Sequence, residues 1–478
     1  MKNRKTICLF LALLLLLPSC STDTPEEILN TETEIITETI ETEPETEATL
    51  NLPEELDLEG KTISMLVKEE DSIGNVEGDE LAVAAYTAQI NAEELLNAKY
   101  EFQISSVVPI EISNLVHAGE DAYAAAAHSG RWYASFFLDG IFHDIKNLEY
   151  IDLDKPWWYK DYIDSVSVNI NNPTILVSDM TWYPIGLLQG ILINDRLMNQ
   201  YLQISNNDLY QIVLDGKWTT DKFLSFTENV YTDVNGNGQY DDTDIYPWMN
   251  EAHYSITPLV YGSGISMESR DKDGYPVLAI NNELVYNQVE KLFNFFKSDT
   301  CLYTNDNITQ KNFSAGTVLM IKIRLADTFW YLREMEDDYC IVPLPKYDES
   351  IANYTSFPEG GIQWYGVPIT VRDTAAVSAA IEALSYFGHQ FIKPTVIEQS
   401  LKKKYTRDDM SSQVIDIMIE HSTASFFYAF EKSGRIGKMP ELFENLFNEK
   451  NNSNNFASLV AAYEPSTVAA LKELKSQE

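Results

Sequence analysis

The sequence predicts a mixed α/β protein whose strands are largely parallel. From Lys61 onward, segments with strand-like alternation are separated by segments with helical periodicity, which is the pattern of β-α-β units. The 478 residues, 45% of them apolar, are enough for about two or three domains. Parallel sheets bind ligands beyond the carboxyl ends of their strands, so the residues that follow each strand are the first candidates for a functional site.

A β-α-β-α-β series is predicted to open the folded region. Its strands are predicted at residues 61–68, 102–108 and 134–138, and its helices at 80–99 and 112–127. The second helix would have an Ala-rich face. Glu69 and Glu70 follow the first strand, and Asp139 follows the third, so Glu70 and Asp139 are candidate ligand-binding carboxylates.

A second α/β series is predicted after Tyr183. Strands are predicted at residues 190–194, 313–323 and 341–344, and helices at 196–202, 219–231, 282–297 and 375–387. Thr219 is placed to cap the N-terminus of its helix, and the apolar residues of 282–297 share one helical face. The chain after Lys393 is predicted to be mainly helical.

The charge balance excludes several classes of partner. The chain has 34 basic and 73 acidic residues, a formal net charge of −39. Nucleic acid and anionic lipid both require a basic face, so neither is expected to bind. Six His and four Cys leave little for a metal centre of those residues. The sequence has no nucleophile elbow, His-Glu-x-x-His motif or P-loop, so no enzymatic activity is predicted.

The N-terminus resembles a bacterial lipoprotein signal. A basic start (Lys2, Arg4, Lys5) precedes an apolar run from Ile7 to Leu17, which is too short to span a bilayer. Leu17-Pro18-Ser19-Cys20 follows, and Cys20 is predicted to carry the lipid that anchors the protein to the outer face of the cell membrane. The alternative is a plain secretory signal with an incidental Cys. Loss of residues 1–19 removes three basic groups and changes the net charge from −39 to −42.

Residues 20–57 are predicted to be a disordered tether. Between Ser21 and Asp57 there are 13 acidic residues, nine Thr and no Lys or Arg, so the segment cannot bury enough apolar surface to fold. Beyond it, Cys301 and Cys340 are the remaining thiols. They are expected either to form a disulfide or to stay as two buried thiols, and the sequence does not decide between these.

Five motifs occur in order along the chain. They are WYPI with GILIND (182–195), GKWTTDKF (216–223), FSAGTVLM (313–320), IVPLPK (341–346) and GIQWYGVP (361–368). Together, behind a lipoprotein signal, they resemble the carbohydrate-binding, maltose-binding-protein-like family of extracellular solute-binding lipoproteins of ABC importers. Asp195 and Lys222 depart from the family's usual residues at their positions. The similarity covers about residues 60 to 390.

This resemblance implies a periplasmic-binding-protein-like fold with two α/β lobes, a hinge and a central cleft. Lobe one would comprise residues 58–185 and 318–362, and lobe two residues 186–317 and 363–478. The implied function is to capture a sugar or oligosaccharide and deliver it to the permease subunits of an ABC transporter. A secreted glycosidase using two carboxylates and a non-transporting glycan sensor are the alternatives.

The resemblance and the strand ends together nominate the side chains of a sugar-binding cleft. Aromatic rings cover the flat C–H faces of sugars, and carboxylates, amides and Arg bind their hydroxyl groups. The predicted ligand-binding residues are Glu70, Asp139, Trp182, Tyr183, Trp248, Arg324, Trp330, Glu359 and Trp364. Core packing is the alternative for each aromatic residue. The tryptophans assigned to packing are Trp132, Trp157, Trp158 and Trp218.

Residues 233–244 match the 12-residue EF-hand calcium loop. Oxygen-bearing side chains occupy its ligand positions, and Gly238 stands at the sixth, where the loop turns sharply. The predicted ligands are Asp233, Asn235, Asn237, Gln239, Asp241 and Asp244. Only three of them carry a carboxylate and Asp replaces the usual final Glu, so a structural Ca²⁺ would bind weakly, with a Kd of about 10⁻⁴–10⁻³ M. The alternative is an Asn-Gly turn cluster with solvated acids.

Overall fold

The structure is a computed structural model that describes residues 49–68, 80–250, 253–304, 306–332, 334–398 and 409–477. The strands are β1 (Lys61–Val67), β2 (Ala98–Ile104), β3 (Ala125–Ser129), β4 (Gln189–Asn194), β5 (Tyr246–Asn250), β6 (Glu268–Arg270), β7 (Pro276–Leu278), β8 (Cys301–Tyr303), β9 (Val318–Arg324), β10 (Tyr339–Pro343) and β11 (Gln363–Gly366).

The helices are more numerous than the strands and vary widely in length. They are α1 (Glu80–Leu96), α2 (Val108–Ala118), α3 (Gly130–Tyr133), α4 (Lys160–Val166), α5 (Tyr183–Gly186), α6 (Asp195–Leu202), α7 (Asn206–Leu214), α8 (Thr220–Ser225), α9 (His253–Tyr261), α10 (Glu283–Phe296), α11 (Asp306–Ser314), α12 (Asp327–Tyr331), α13 (Thr374–Ile397), α14 (Asp409–Glu420), α15 (Phe426–Ala429), α16 (Leu442–Leu446) and α17 (Phe456–Gln477). No described helix combines the length and apolar composition needed to cross a membrane.

Two larger sheets organise the described residues, which form one compact unit, and β6 and β7 pair separately as a two-stranded antiparallel sheet. The first has the strand order β11-β3-β1-β2, in which β1 is parallel to both β2 and β3 and β11 is antiparallel to β3. The second has the order β10-β4-β9-β5-β8, with β5 parallel to β8 and β9 and with β4 antiparallel to its neighbours. The predicted α/β class and the parallel pairing of the first strands are therefore confirmed.

The third strand of the first sheet lies nearer the N-terminus than predicted. The Ala-rich segment predicted as part of a helix is β3, and Ala125, Ala126 and Ala127 are completely buried between β1 and β11. Residues Ala134–Leu138, predicted as a strand, form a 3-10 helix. Alanine has the highest helix propensity of the amino acids, but propensity is worth less than about 1 kcal/mol per residue, and pairing with two neighbouring strands outweighs it.

The strands also group into sheets differently from the way the predicted lobes divide the chain. β9 and β10 lie within residues 318–362, which were expected in lobe one, yet both pair with β4 in the second sheet. β11, expected in lobe two, pairs with β3 in the first sheet. A strand's sequence does not reveal its partners, because pairing depends on distant parts of the chain.

Helix ends depend on neighbouring residues, so the sequence predicts them better than it predicts strand pairing. The Thr219 side chain accepts a hydrogen bond from the backbone N–H of Lys222, which confirms it as an N-cap. Asn282 caps α10 in the same way. The helix after Thr219 is shorter than predicted and ends at Ser225. At the start of the described chain, Leu50, Leu52 and Leu56 from the end of the predicted tether pack against the core.

Cys301 and Cys340 do not form a disulfide with each other. Both are buried, and they lie on β8 and β10, the two outer strands of the second sheet. Four strand steps separate them, or roughly 19 Å at the usual spacing between strands. A disulfide requires Cα atoms within about 7 Å, so the alternative of two buried thiols is the correct one.

Candidate functional site

Five exposed aromatic side chains follow the carboxyl ends of parallel strands in both sheets. Trp132 and Tyr133 follow β3, Tyr254 follows β5, and Trp330 and Tyr331 follow β9. Their exposed fractions lie between 38% and 52%. Ligands of α/β proteins bind at this end of the strands, and exposed aromatic rings provide contact surface there. We call these five residues the aromatic site.

The turn after β3 places Trp132 and Tyr133 at the surface. α3 begins directly after Ser129, and a Cβ on Gly130 would stand only 2.3 Å from the indole of Trp364. Glycine therefore lets the chain cross that buried ring. The Tyr133 ring lies 3.5 Å, centre to centre, from the ring of His128. Burial, aided by the charge of Lys68, lowers the pKa of His128 to about 4, so its imidazole is neutral at pH 7.

Arg131, from the same turn, connects the ends of the two sheets. Its buried guanidinium forms an ion pair with Glu431 and lies 4.5 Å from the centre of the Tyr428 ring. It also lies 5.5 Å from the Trp132 ring centre and 5.8 Å from that of Tyr254. Because Trp132 follows a strand of the first sheet and Tyr254 follows one of the second, these strand ends lie close together.

Trp330 stands on a buried aromatic platform. Its ring meets that of Trp182 edge-on, with centres 5.3 Å apart at 87°, and Trp182 in turn stacks on Tyr183 at 4.3 Å. A Cβ on Gly186 would stand 2.4 Å from the Trp182 ring, so this glycine makes room for the platform. The structure thus brings together three of the predicted residues, of which Trp330 is the exposed one.

Charged side chains beside this platform are already compensated. Arg324 donates to Asp327, with an Nη2–Oδ1 distance of 2.6 Å. Burial alone would lower the pKa of Arg324, but the hydrogen bond and charge of Asp327 and the charge of Glu359 raise it. Glu359 accepts a hydrogen bond from the backbone N–H of Gly361 at 2.8 Å, and its charge also acts on Arg131. The site therefore offers aromatic faces and polar atoms with little uncompensated charge.

Two of the predicted tryptophans lie in the core. Trp248 and Trp364 have no exposed surface. Trp248 packs edge-on against Phe223, and Trp364 donates from Nε1 to the Tyr162 hydroxyl at 3.0 Å. In this conformation both hold the scaffold and neither reaches the aromatic site. The motif of Trp364 indicated a crossing strand, and Trp248 was nominated because it follows the predicted calcium loop, but neither pattern could indicate which way the indole points.

The predicted carboxylates are not brought to the aromatic site as a group. Asp139 follows a 3-10 helix rather than a strand, and it forms an ion pair with Arg435 at 2.5 Å. Glu70 lies outside the described residues, as does the lipidation residue Cys20. Glu359 is the predicted carboxylate that lies near Arg131 and Arg324.

Sequence reasoning missed most of the exposed aromatic residues. Trp132 was assigned to packing, which is wrong because 47% of it is exposed, whereas Trp157, Trp158 and Trp218 are buried as predicted. Tyr133, Tyr254 and Tyr331 were not considered. The signal was present for the residues after β3: once the Ala-rich segment is recognised as a strand, Gly-Arg-Trp-Tyr is the segment at its carboxyl end.

The predicted calcium loop is closed by its own hydrogen bonds. The two carboxylate oxygens of Asp233 accept from the backbone N–H groups of Gly236 and Gly238 at 2.7 and 2.8 Å. Both glycines have a φ of 70°, a conformation that favours glycine. Asp244 is buried and accepts from Val234 N–H and the Tyr231 hydroxyl.

The oxygen atoms of this loop are of the kind that binds Ca²⁺, but its carboxylates do not lie close together. The side chains of Asn235 and Asn237 donate to Asp241, and hydrogen bonds, first that of Thr243, lower the pKa of Asp241. Carboxylate and amide oxygens are ligands that Ca²⁺ prefers. Among the described residues, no group of three or more acidic, His or Cys side chains is close enough together to hold a metal ion. Binding would therefore require these side chains to exchange their mutual hydrogen bonds for the ion.

No family model matches the sequence, and no curated protein is detectably similar to it.

Proposed function

We propose that this protein is a cell-surface solute-binding protein that captures a neutral sugar or oligosaccharide in the aromatic site and delivers it to an ABC transporter permease. The observation that carries the proposal is the placement of exposed aromatic rings after parallel strands of both sheets. Such rings cover the C–H faces of sugars. The compensated charges around Arg131 and Arg324, together with a net charge of −39, disfavour an anionic ligand.

The two sheets would be the cores of two lobes that close on the ligand about a hinge. The approach of Arg131 to Tyr254 would then lie where the lobes meet. The five motifs that resemble the solute-binding family support the same arrangement, and lipid on Cys20 would hold the protein at the membrane. Calcium in the loop of residues 233–244 would stabilise one surface and would not contact the sugar.

The first test is a thermal-shift screen against a panel of neutral glycans. A true ligand at 100 times its Kd should raise the free energy of unfolding by about 2.7 kcal/mol. An assay for release of reducing ends with the same glycans separates the alternatives, because a glycosidase would produce them and a binding protein would not. The proposal is refuted if only charged or peptide ligands bind.

Tryptophan variants then locate the site. Trp330→Ala and Trp132→Ala should each weaken sugar binding by about 2 kcal/mol, or roughly thirtyfold, because aromatic anchors dominate such interfaces. Tyr86→Ala is the matched control, since Tyr86 is 63% exposed on α1 but lies outside the aromatic site. Trp248→Ala and Trp364→Ala should instead lower the free energy of unfolding by about 3–5 kcal/mol. Calorimetry and denaturation measure the two effects separately, and full affinity in both Trp330→Ala and Trp132→Ala would exclude this site.

A further inference from the structure

A cavity of about 360 Å³ lies apart from the aromatic site. Its walls are the loop 153–161, Lys393 near the end of α13, and residues at the end of α14 up to Ser422. This volume falls within the range of small-molecule binding sites. No residue of the aromatic site lines it.

Three hydrogen-bond donors in its lining are unused. Ser422 is 6% exposed, and its Oγ has no hydrogen-bond partner among the described residues. No described residue accepts a hydrogen bond from the ammonium group of Lys155 or Lys393, and Lys393 forms an ion pair with Asp179 at 4.0 Å. A buried polar atom is normally satisfied, so the Ser422 hydroxyl lacks an expected partner, and the partly buried ammonium groups of Lys155 and Lys393 line the same cavity.

Asp179 does not supply that acceptor. Its two oxygens already accept hydrogen bonds at 2.6 Å, one from the Tyr159 hydroxyl and one from His389 Nδ1. Asp179 is 1% exposed, and a Cβ on Gly388 would stand 2.1 Å from its carbonyl oxygen, so the chain is held closely here. Lys393 contacts Asp179 only as an ion pair at 4.0 Å, and no described residue accepts a hydrogen bond from its ammonium group, so these N–H groups remain available to another acceptor.

The acidic residues of the cavity stand at its rim. Asp154, 77% exposed, is paired with Lys160, and Glu420 is 71% exposed. Asp161 is also exposed. Solvent screens such groups strongly, whereas the partly buried Lys155 and Lys393 act at closer range inside the cavity. The lining thus carries three lysines and three carboxylates, in a chain where acidic residues outnumber basic ones by 73 to 34.

The remaining lining is apolar and favours an organic ligand over a bare inorganic ion. It consists of Leu153, Pro156, Trp158, Ile419 and Tyr159, whose hydroxyl donates to Asp179. Trp158 is fixed there because its Nε1 donates to the Glu382 carboxylate at 2.9 Å. A ligand with an anionic group and a flat apolar body would satisfy the idle donors and cover this wall at the same time.

We propose that this cavity, which we call the lysine cavity, binds a small organic anion whose carboxylate or phosphate group accepts from Ser422, Lys155 and Lys393. The apolar part of the ligand lies against Trp158 and Pro156. The site is separate from the sugar site and does not depend on the function proposed for it.

Calorimetry with benzoate and phenyl phosphate tests the proposal, using the full chain at low ionic strength. Each should bind once per chain. Benzamide, which has the shape of benzoate without its charge, should bind at least about tenfold more weakly, because charge-assisted hydrogen bonds are worth that much. Acetate and inorganic phosphate carry the anionic group without the aromatic ring, so both should bind more weakly than the aromatic probes. Tighter binding of inorganic phosphate would overturn the assignment to an organic ligand.

Matched lysine variants complete the test. Lys393→Met should weaken benzoate binding by about tenfold or more, and Lys155→Met provides a second variant should the first fail to fold. Lys160→Met is the control, because Lys160 lines the same cavity but is already paired with Asp154, and its affinity should stay within about twofold of the native value. Trp330→Ala should bind benzoate normally. The proposal is wrong if neither anion binds, if benzamide binds as well as benzoate, or if Lys393→Met and Lys160→Met behave alike.

Discussion

Glu382 should make the stability of this protein depend on pH between about 4.5 and 7. It lies in the middle of α13, has no exposed surface, and accepts hydrogen bonds from the indole N–H groups of Trp157 and Trp158 at 3.1 and 2.9 Å. Burial raises the pKa of this carboxyl from 4.5 to about 7, although the two indole hydrogen bonds and the charge of Lys155 oppose the shift. Asp152 adds to it.

The direction of the effect follows from proton binding. Between pH 4.5 and 7 the folded protein keeps a proton on Glu382 that the unfolded chain has released. The free energy of unfolding therefore falls as the pH rises through this window. A shift of about 2.5 units at about 1.36 kcal/mol each makes the loss about 3 kcal/mol.

Glu382→Gln removes the titration, and urea denaturation at pH 4.5, 6, 7 and 8 measures the consequence. At pH 4.5 the variant should be less stable by about 1–3 kcal/mol, because an amide nitrogen cannot accept the second indole hydrogen bond. At pH 8 the difference should shrink or reverse, since the native protein then carries a buried charge. Glu94→Gln, at an exposed position of α1, is the control and should keep the native pH dependence. Equal pH slopes in native protein and Glu382→Gln would refute the reasoning.

Three further predictions concern the candidate sites and the anchor. Arg131→Met should lower the free energy of unfolding by about 3 kcal/mol in urea, because it leaves Lys432, at 2.8 Å, as the remaining ion-pair partner of the buried Glu431; adding Glu431→Gln should recover part of the loss. Chelation of calcium should lower the melting temperature of the native protein, and Asp233→Ala should abolish that response; identical melting with calcium and chelator would leave the loop as a turn. Cys20→Ala should move the protein from the membrane to the soluble fraction on cell fractionation, and unchanged fractionation would contradict a lipid anchor.

The sequence by itself determined the features that depend on neighbouring residues. Strand alternation predicted β1, and one-sided periodicity predicted α10. The capping role of Thr219 was also predicted, because an N-cap side chain binds the backbone N–H only three positions further along the chain. The α/β class followed from the alternation of these local patterns. Even the calcium loop's turns at Gly236 and Gly238 are local, since they depend on the φ angles that glycine permits.

The tertiary structure decided which strands pair and which side chains reach solvent. The Ala-rich segment became β3 because β1 and β11 flank it, and β9 and β10 joined the second sheet through β4. That shift of the third strand moved the candidate site from Asp139 to the turn carrying Trp132. Trp132 is exposed while Trp364 is buried, although both are tryptophans beside strands, because burial is set by residues that are distant in sequence.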